Sequence, residues 1–94
     1  MIGLIGPQSR VRLAPKARLQ RDRVSGKQFL LYPERGLELS DSAARIVAAC
    51  AAERAVAAIV DELTAASGEP RERIETEVIS FLRALDDRGL LVVT

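Results

Sequence analysis

Glu72, Glu75, Asp86 and Asp87 form the densest set of carboxylates in the 94-residue chain, and carboxylates held close together can do acid–base chemistry. Here they alternate with Arg71, Arg73, Arg83 and Arg88 at three- and four-residue spacing, the pattern of ion pairs on a solvated helix face. Cys50 is the second candidate. A reactive thiol needs a partly exposed, electropositive setting, whereas Cys50 shares a helical face with Ala43, Ile46 and Val47 and reads as a packed core thiol. The chain has no histidine, so Ser-His and Cys-His nucleophiles are excluded. One cysteine cannot build a disulfide framework, and a structural zinc site needs about four Cys or His ligands. No glycine-rich phosphate loop is present. These residues predict a protein that is not an enzyme and that carries no metal or cofactor.

The elements that would position any site read as follows. Residues 1–14 show no clear period and are expected to be a flexible N-terminal arm, punctuated by Pro7 and Pro15, ahead of a single domain over 15–94. Ala17–Asp22 alternates like a strand with one solvated face. After a Ser25-Gly26 turn, Gln28–Tyr32 is a more buried strand, so the two make a hairpin. Pro33-Glu34-Arg35-Gly36 is a tight turn in which proline fixes φ early and Gly36 supplies any positive φ late. Leu37–Leu39 is a third, very short strand. Ser40 can cap a helix that starts at Asp41, a residue the helix dipole favours there. Nothing but periodicity breaks the stretch from Asp41 to Ser67. As one helix, the Val56, Ile59, Val60, Leu63 cluster would sit about 220° round from the Ala43, Ile46, Val47, Cys50 cluster, so two helices are expected, about 41–50 and 55–66. Pro70 opens a third, whose core stripe is Ile74, Val78, Phe81, Leu82 and Leu85, and Gly89 closes it. Leu90–Val93 is a terminal strand or core plug. The fold class expected is α+β and winged-helix-like: a small three-stranded antiparallel sheet followed by three helices.

With 48% hydrophobic and 29% charged residues the chain should fold, yet 14 of its 45 apolar residues are alanine and only Phe29, Tyr32 and Phe81 are aromatic. The net charge of +1 divides unevenly: residues 1–40 carry 8 basic and 3 acidic side chains, residues 41–94 carry 6 basic and 10 acidic. A helix that reads DNA would be the third, but its polar face mixes both signs and attracts phosphate weakly, so a winged-helix DNA-binding regulator is the lesser alternative and no nucleic-acid partner is expected. No signal-peptide or membrane-span pattern is found, and a lone thiol suits a reducing compartment; a cytoplasmic protein with no membrane partner is expected.

A peptide partner fits better. The third strand is short and at an edge, where unpaired N–H and C=O groups can receive a guest strand. Ile79 lies about 140° from Ile74 on the helical wheel, off the core stripe, with Leu82 on the same flank. If that flank faces the third strand, the two enclose an apolar groove; otherwise Ile79 is a scattered surface residue, which is common.

From Leu13 to Leu91 the chain resembles the PqqD family of pyrroloquinoline quinone (PQQ) biosynthesis. The matching pieces are Pro15–Gln20, the run Leu30-Leu31-Tyr32-Pro33-Glu34-Arg35, then Leu37–Ser40 with Ala43, Ala44 and Ile46, Val56–Val60, and Val78, Leu82, Leu85 with the closing Arg88–Leu91. The resemblance implies a non-enzymatic chaperone, a recognition element for a ribosomally made PQQ precursor peptide, which it presents to a radical S-adenosylmethionine (SAM) enzyme that joins a Glu and a Tyr. It implies that the precursor pairs with the third strand and lies against the third helix. On this chain those residues are Arg35, Gly36, Leu37, Glu38 and Leu39, with Val78, Ile79, Leu82, Arg83 and Asp86. Two features depart from the family pattern. Ala51, Ala52, Glu53 and Ala55 stand where an Asp-Gly turn and a capping Ser or Thr are common. The arm of residues 1–14 is also long, and could exchange between chains of a homodimer.

Overall fold

The computed structural model describes residues 5–94. In chain order it holds β1 (Arg10–Leu13), β2 (Arg18–Arg21), β3 (Gln28–Tyr32), β4 (Arg35–Leu39), α1 (Asp41–Ala49), β5 (Arg54–Ala55), α2 (Val56–Ser67), α3 (Arg71–Asp87) and β6 (Leu91–Val93). The strands form two antiparallel sheets, β2-β3-β4 and β5-β1-β6. The α+β class and the three-stranded meander followed by three helices are as the sequence predicts; the second sheet is not foreseen.

The meander follows the hydrophobic alternation. Leu19, Leu30 and Leu37 stand opposite one another across β2, β3 and β4 and face inward, with Leu30 wholly buried. Helix α1 packs on β3 and α2, and α3 packs on α2 and β6. Val56, Ile59, Val60 and Leu63 from α2, and Ile74, Val78, Leu82 and Leu85 from α3, supply most of the helical core. Phe81, placed by periodicity on the core stripe, packs against the core from a partly exposed position.

The turn between β3 and β4 differs from expectation. It has two residues, Pro33 and Glu34, and the positive φ falls on Glu34 (φ 64), not on Gly36. Proline's fixed φ suits the first position of a type II turn, and the second then has to be left-handed whichever residue is there. Gly36 lies within β4, where a Cβ would come 3.2 Å from Leu31 Cδ2; its lack of a side chain lets Leu31 lean across the strand. An L residue in the left-handed region costs about 1–2 kcal/mol, partly offset by the greater freedom glycine has in the unfolded chain. Glu34→Gly should therefore raise the melting temperature by a few degrees, a shift of roughly 0.5–1 kcal/mol, while Glu34→Ala should not. Thermal unfolding followed by circular dichroism measures both.

The expected arm is corrected for the residues that can be described; Met1 to Leu4 lie outside them. Arg10–Leu13 is the central strand of the second sheet, with Val11 opposite Arg54 on one side and Val93 on the other. Val11 and Ile5 are 0% and 1% exposed. Arg10-Val11-Arg12-Leu13 does alternate polar with apolar, but its partners are two residues of β5 and the C-terminal β6, both remote in sequence. The same segment explains why no capping residue marks the start of α2. Ala55 has no side-chain acceptor, and the first free N–H groups, those of Val56 and Ala57, donate instead to the Ser9 and Pro7 carbonyls at 2.8 and 3.0 Å. The Leu13 N–H donates to the Cys50 carbonyl at 2.9 Å at the end of α1. The break expected near 51–54 is present, with Arg54–Ala55 held against β1. Elsewhere the terminal signals hold: Ser40 Oγ accepts from the Ala43 N–H, Gly68 is left-handed after α2, and Gly89 has φ 71 after α3.

Candidate functional site

Among the described residues strand β4 is paired on one side only, with β3, so its other edge presents the N–H and C=O groups of Arg35–Leu39. Leu37 and Leu39 point inward, Arg35 is exposed at the hairpin tip, Gly36 and Glu38 point outward, and Glu38 sits 3.8 Å from Lys27 Nζ. Ser40 ends the strand by capping α1, so the chain turns from the free edge straight into a helix.

At that corner a groove of about 710 Å³ opens between α1 and α3. Its walls and floor are Ala43, Ile46, Leu63, Val78, Phe81 and Ala84, and Asp41, Arg45 and Glu77 stand at its rim. Ile46, Leu63 and Val78 are buried members of the core, whereas Phe81 is partly exposed. An apolar trough with a few polar groups suits a side chain that is itself apolar, presented by a backbone that can bond to a strand edge.

The ten residues singled out from the sequence divide. The five of β4 form the free edge, and Val78 lines the groove. Leu82 is fully buried beneath α3. Ile79 and Arg83 line a separate depression of about 690 Å³ with Glu72, Glu75 and Asp87, across a ridge made by Thr76, Ser80 and Ala84. Arg83 donates from its guanidinium to the Ile5 carbonyl at 3.2 Å. Asp86 is seven residues beyond Ile79, on the same line of the helix. The wheel gives the angles between these side chains but not the rotation of α3 about its axis. That rotation is set by Ile74, Val78, Leu82 and Leu85 settling into the core, and it turns Phe81 rather than Ile79 toward α1. Periodicity puts Phe81 on the core stripe and gives no signal at Ala84, because an i, i+3, i+4 stripe cannot separate a core residue from one at the stripe's border.

Of the candidates for acid–base or thiol chemistry, Glu72, Glu75 and Asp87 line the depression beside Arg83, and Cys50 lies in the core. Among the described residues no three His, Cys, Asp or Glu side chains come together as metal ligands. Cys50 is fully buried, and burial pushes its thiol up to about 11, the Arg54 guanidinium offsetting part of the shift. The folded protein should resist iodoacetamide at about pH 8, with alkylation appearing only on denaturation. The folded-state value lies above the reference of 9.0, so this group's contribution to stability is complete below pH 9 and fades as pH rises toward 11. Among the described residues no helix is long and apolar enough to cross a membrane.

The family model described as "Coenzyme PQQ synthesis protein D (PqqD)" matches residues 27–91. A protein of Bradyrhizobium diazoefficiens named PqqA binding protein is 36% identical over 87 residues, covering 93% of this chain and 84% of the relative. One of the same name from Rhodopseudomonas palustris strain HaA2 is 37% identical over 87 residues, covering 93% and 85%. The solution NMR structure of the PqqD portion of Methylobacterium extorquens PqqCD, described as a functional and stand-alone recognition element for ribosomally synthesized and post-translationally modified peptides (RiPPs), superposes with a TM-score of 0.82. That match is 26% identical in sequence and covers 98% of this chain and 99% of the other.

Proposed function

The chain belongs to the PqqD family, and from that premise we propose that it is a non-enzymatic chaperone of PQQ biosynthesis that binds the ribosomal precursor peptide, PqqA, as an added strand on β4. The observation that carries this reading is the continuity of the free β4 edge with the α1–α3 groove at Ser40. The guest backbone completes the ladder along Arg35–Leu39, and one apolar guest side chain enters between Ile46, Val78 and Phe81. Leu82 supports the groove from below. Ile79, Arg83 and Asp86 come into play only for a guest long enough to cross the ridge. Held this way, the peptide is delivered in the cytoplasm to a radical SAM enzyme at a raised effective concentration.

Titration of the ¹⁵N-labelled protein with the precursor peptide tests the site. Amide shifts are expected through 35–40 and at Ala43, Phe81 and Ala84. Shifts confined to Ile79, Arg83 and Asp86 would move the site across the ridge, and none at all would refute peptide binding. Delivery is tested separately, by the rate at which the radical SAM enzyme consumes precursor with and without this protein. A homodimer by exchange of residues 1–14 ranks second: β1 lies between β5 and β6 of its own chain, so exchange requires both ladders to open. DNA binding gains no support from α3, whose exposed face carries Glu72, Glu77 and Asp87 among its arginines.

A further inference from the structure

The tip of the β3–β4 hairpin borders a notch of about 390 Å³, lined by Lys16, Arg18, Leu31, Tyr32 and Arg35. Arg88 reaches it from the end of α3, donating from Nη1 to the Tyr32 hydroxyl at 3.5 Å. Lys16 Nζ lies over Gly89, 3.6 Å from where a Cβ would stand. Three cations thus line the notch and a fourth, Arg88, contacts its tyrosine, all of them exposed. Arg10, Lys27, Arg54, Arg71 and Arg73 each have a carboxylate within 4.0 Å, but among the described residues none of these four does. Glu34 lines the notch too, and its carboxylate lies within 4.0 Å of none of them. Four unneutralised cations in a concave site repel one another, and an anion removes that cost.

We propose that this notch receives acidic side chains of the bound peptide, in the segment that continues past the guest strand on β4. The inference rests on the β4 reading above. Arg35 is both the first residue of β4 and part of the notch, so a guest on the edge runs directly toward it. An antiparallel guest, the sense of every pairing in this molecule, would have its C-terminal end at Arg35. Strands lie about 4.8 Å apart and an extended residue advances about 3.3 Å, so carboxylates roughly two to five residues beyond the paired segment span from Arg35 to Arg18. Guanidinium groups can hold a carboxylate with two parallel hydrogen bonds, and an acidic flank would fix the register of a strand whose ladder alone tolerates slipping. A phosphate backbone fits less well, because its charge continues past the notch and would meet the carboxylates of α3.

The test compares two guests by calorimetry: the precursor peptide, and the same peptide with the carboxylates C-terminal to its pairing segment changed to amides. For the unaltered protein the amide guest should bind about three- to tenfold more weakly at about 50 mM salt, with the difference shrinking at about 300 mM. The double variant Lys16→Glu with Arg18→Glu, both exposed and outside the groove, should bind the precursor more weakly and no longer distinguish the two guests. Both guests binding the unaltered protein equally would overturn the notch and leave the β4 reading intact. Neither guest binding would overturn the β4 reading and this inference with it. Capture of duplex DNA that the double variant loses, with peptide affinity unchanged, would assign the cations to phosphate and overturn the proposal.

Discussion

Deleting residues 1–13 should unfold the domain, not trim an appendage from it. Ile5 and Val11 are 1% and 0% exposed, and burying such a side chain is worth about 1.5–3 kcal/mol. The deletion also removes the strand that β5 and β6 pair with, and strips the Val56 and Ala57 N–H groups of the Ser9 and Pro7 carbonyls. Each stranded donor costs about a further 1–3 kcal/mol where water cannot replace the partner. The sum approaches the whole of a small domain's stability, about 5–15 kcal/mol. The truncated chain should show no cooperative thermal transition and collapsed amide dispersion in its NMR spectrum. Point changes locate the cause. Val11→Asp should do nearly as much damage by burying a charge, whereas Arg12→Asp, on the exposed face of the same strand, should leave a cooperative transition in place. A truncated protein that melts at the original temperature would show that β1 contributes nothing.

That segment also marks the limit of what the amino-acid order conveys. Elements stabilised within themselves were legible: the meander from its alternation, α1 from Ser40, the end of α2 from Ser67-Gly68, and α3 from Pro70, its stripe and Gly89. The split between α1 and α2 was legible too, because two apolar faces about 220° apart cannot share one core. Strand β1 was not: Arg10, Val11, Arg12 and Leu13 alternate, but the strands they pair with lie more than forty positions away, so no adjacent hairpin marks the alternation. Turn chemistry points to Gly36 for the left-handed residue of the β3–β4 turn, whereas turn length, set by the Tyr32–Arg35 pairing, places it on Glu34. For the candidate site, the strand was legible and the helix face was not. The edge follows from strand order, but which side of α3 looks at α1 depends on how four core side chains seat.

Those two sides of α3 make different predictions for binding. Phe81→Ala should weaken precursor binding by at least about 30-fold, the scale of losing a central apolar contact worth about 2 kcal/mol. Ile79→Ala, the matched change across the Thr76–Ser80–Ala84 ridge, should alter it by no more than about threefold. Both side chains are partly exposed and pack against the core, so each variant loses some stability. Melting curves should therefore accompany the titrations, and binding should be measured well below both transitions. Equal losses would mean that the guest straddles the ridge, and a larger loss at Ile79 would put the groove on the other flank. The β4 half of the site has a test that leaves the protein untouched. In an antiparallel ladder alternate guest residues point their N–H groups at the partner strand. N-methylation of the guest at one parity of positions should abolish binding, while methylation at the other parity should be tolerated, because those N–H groups face solvent. A peptide held by its side chains alone would show no such period of two.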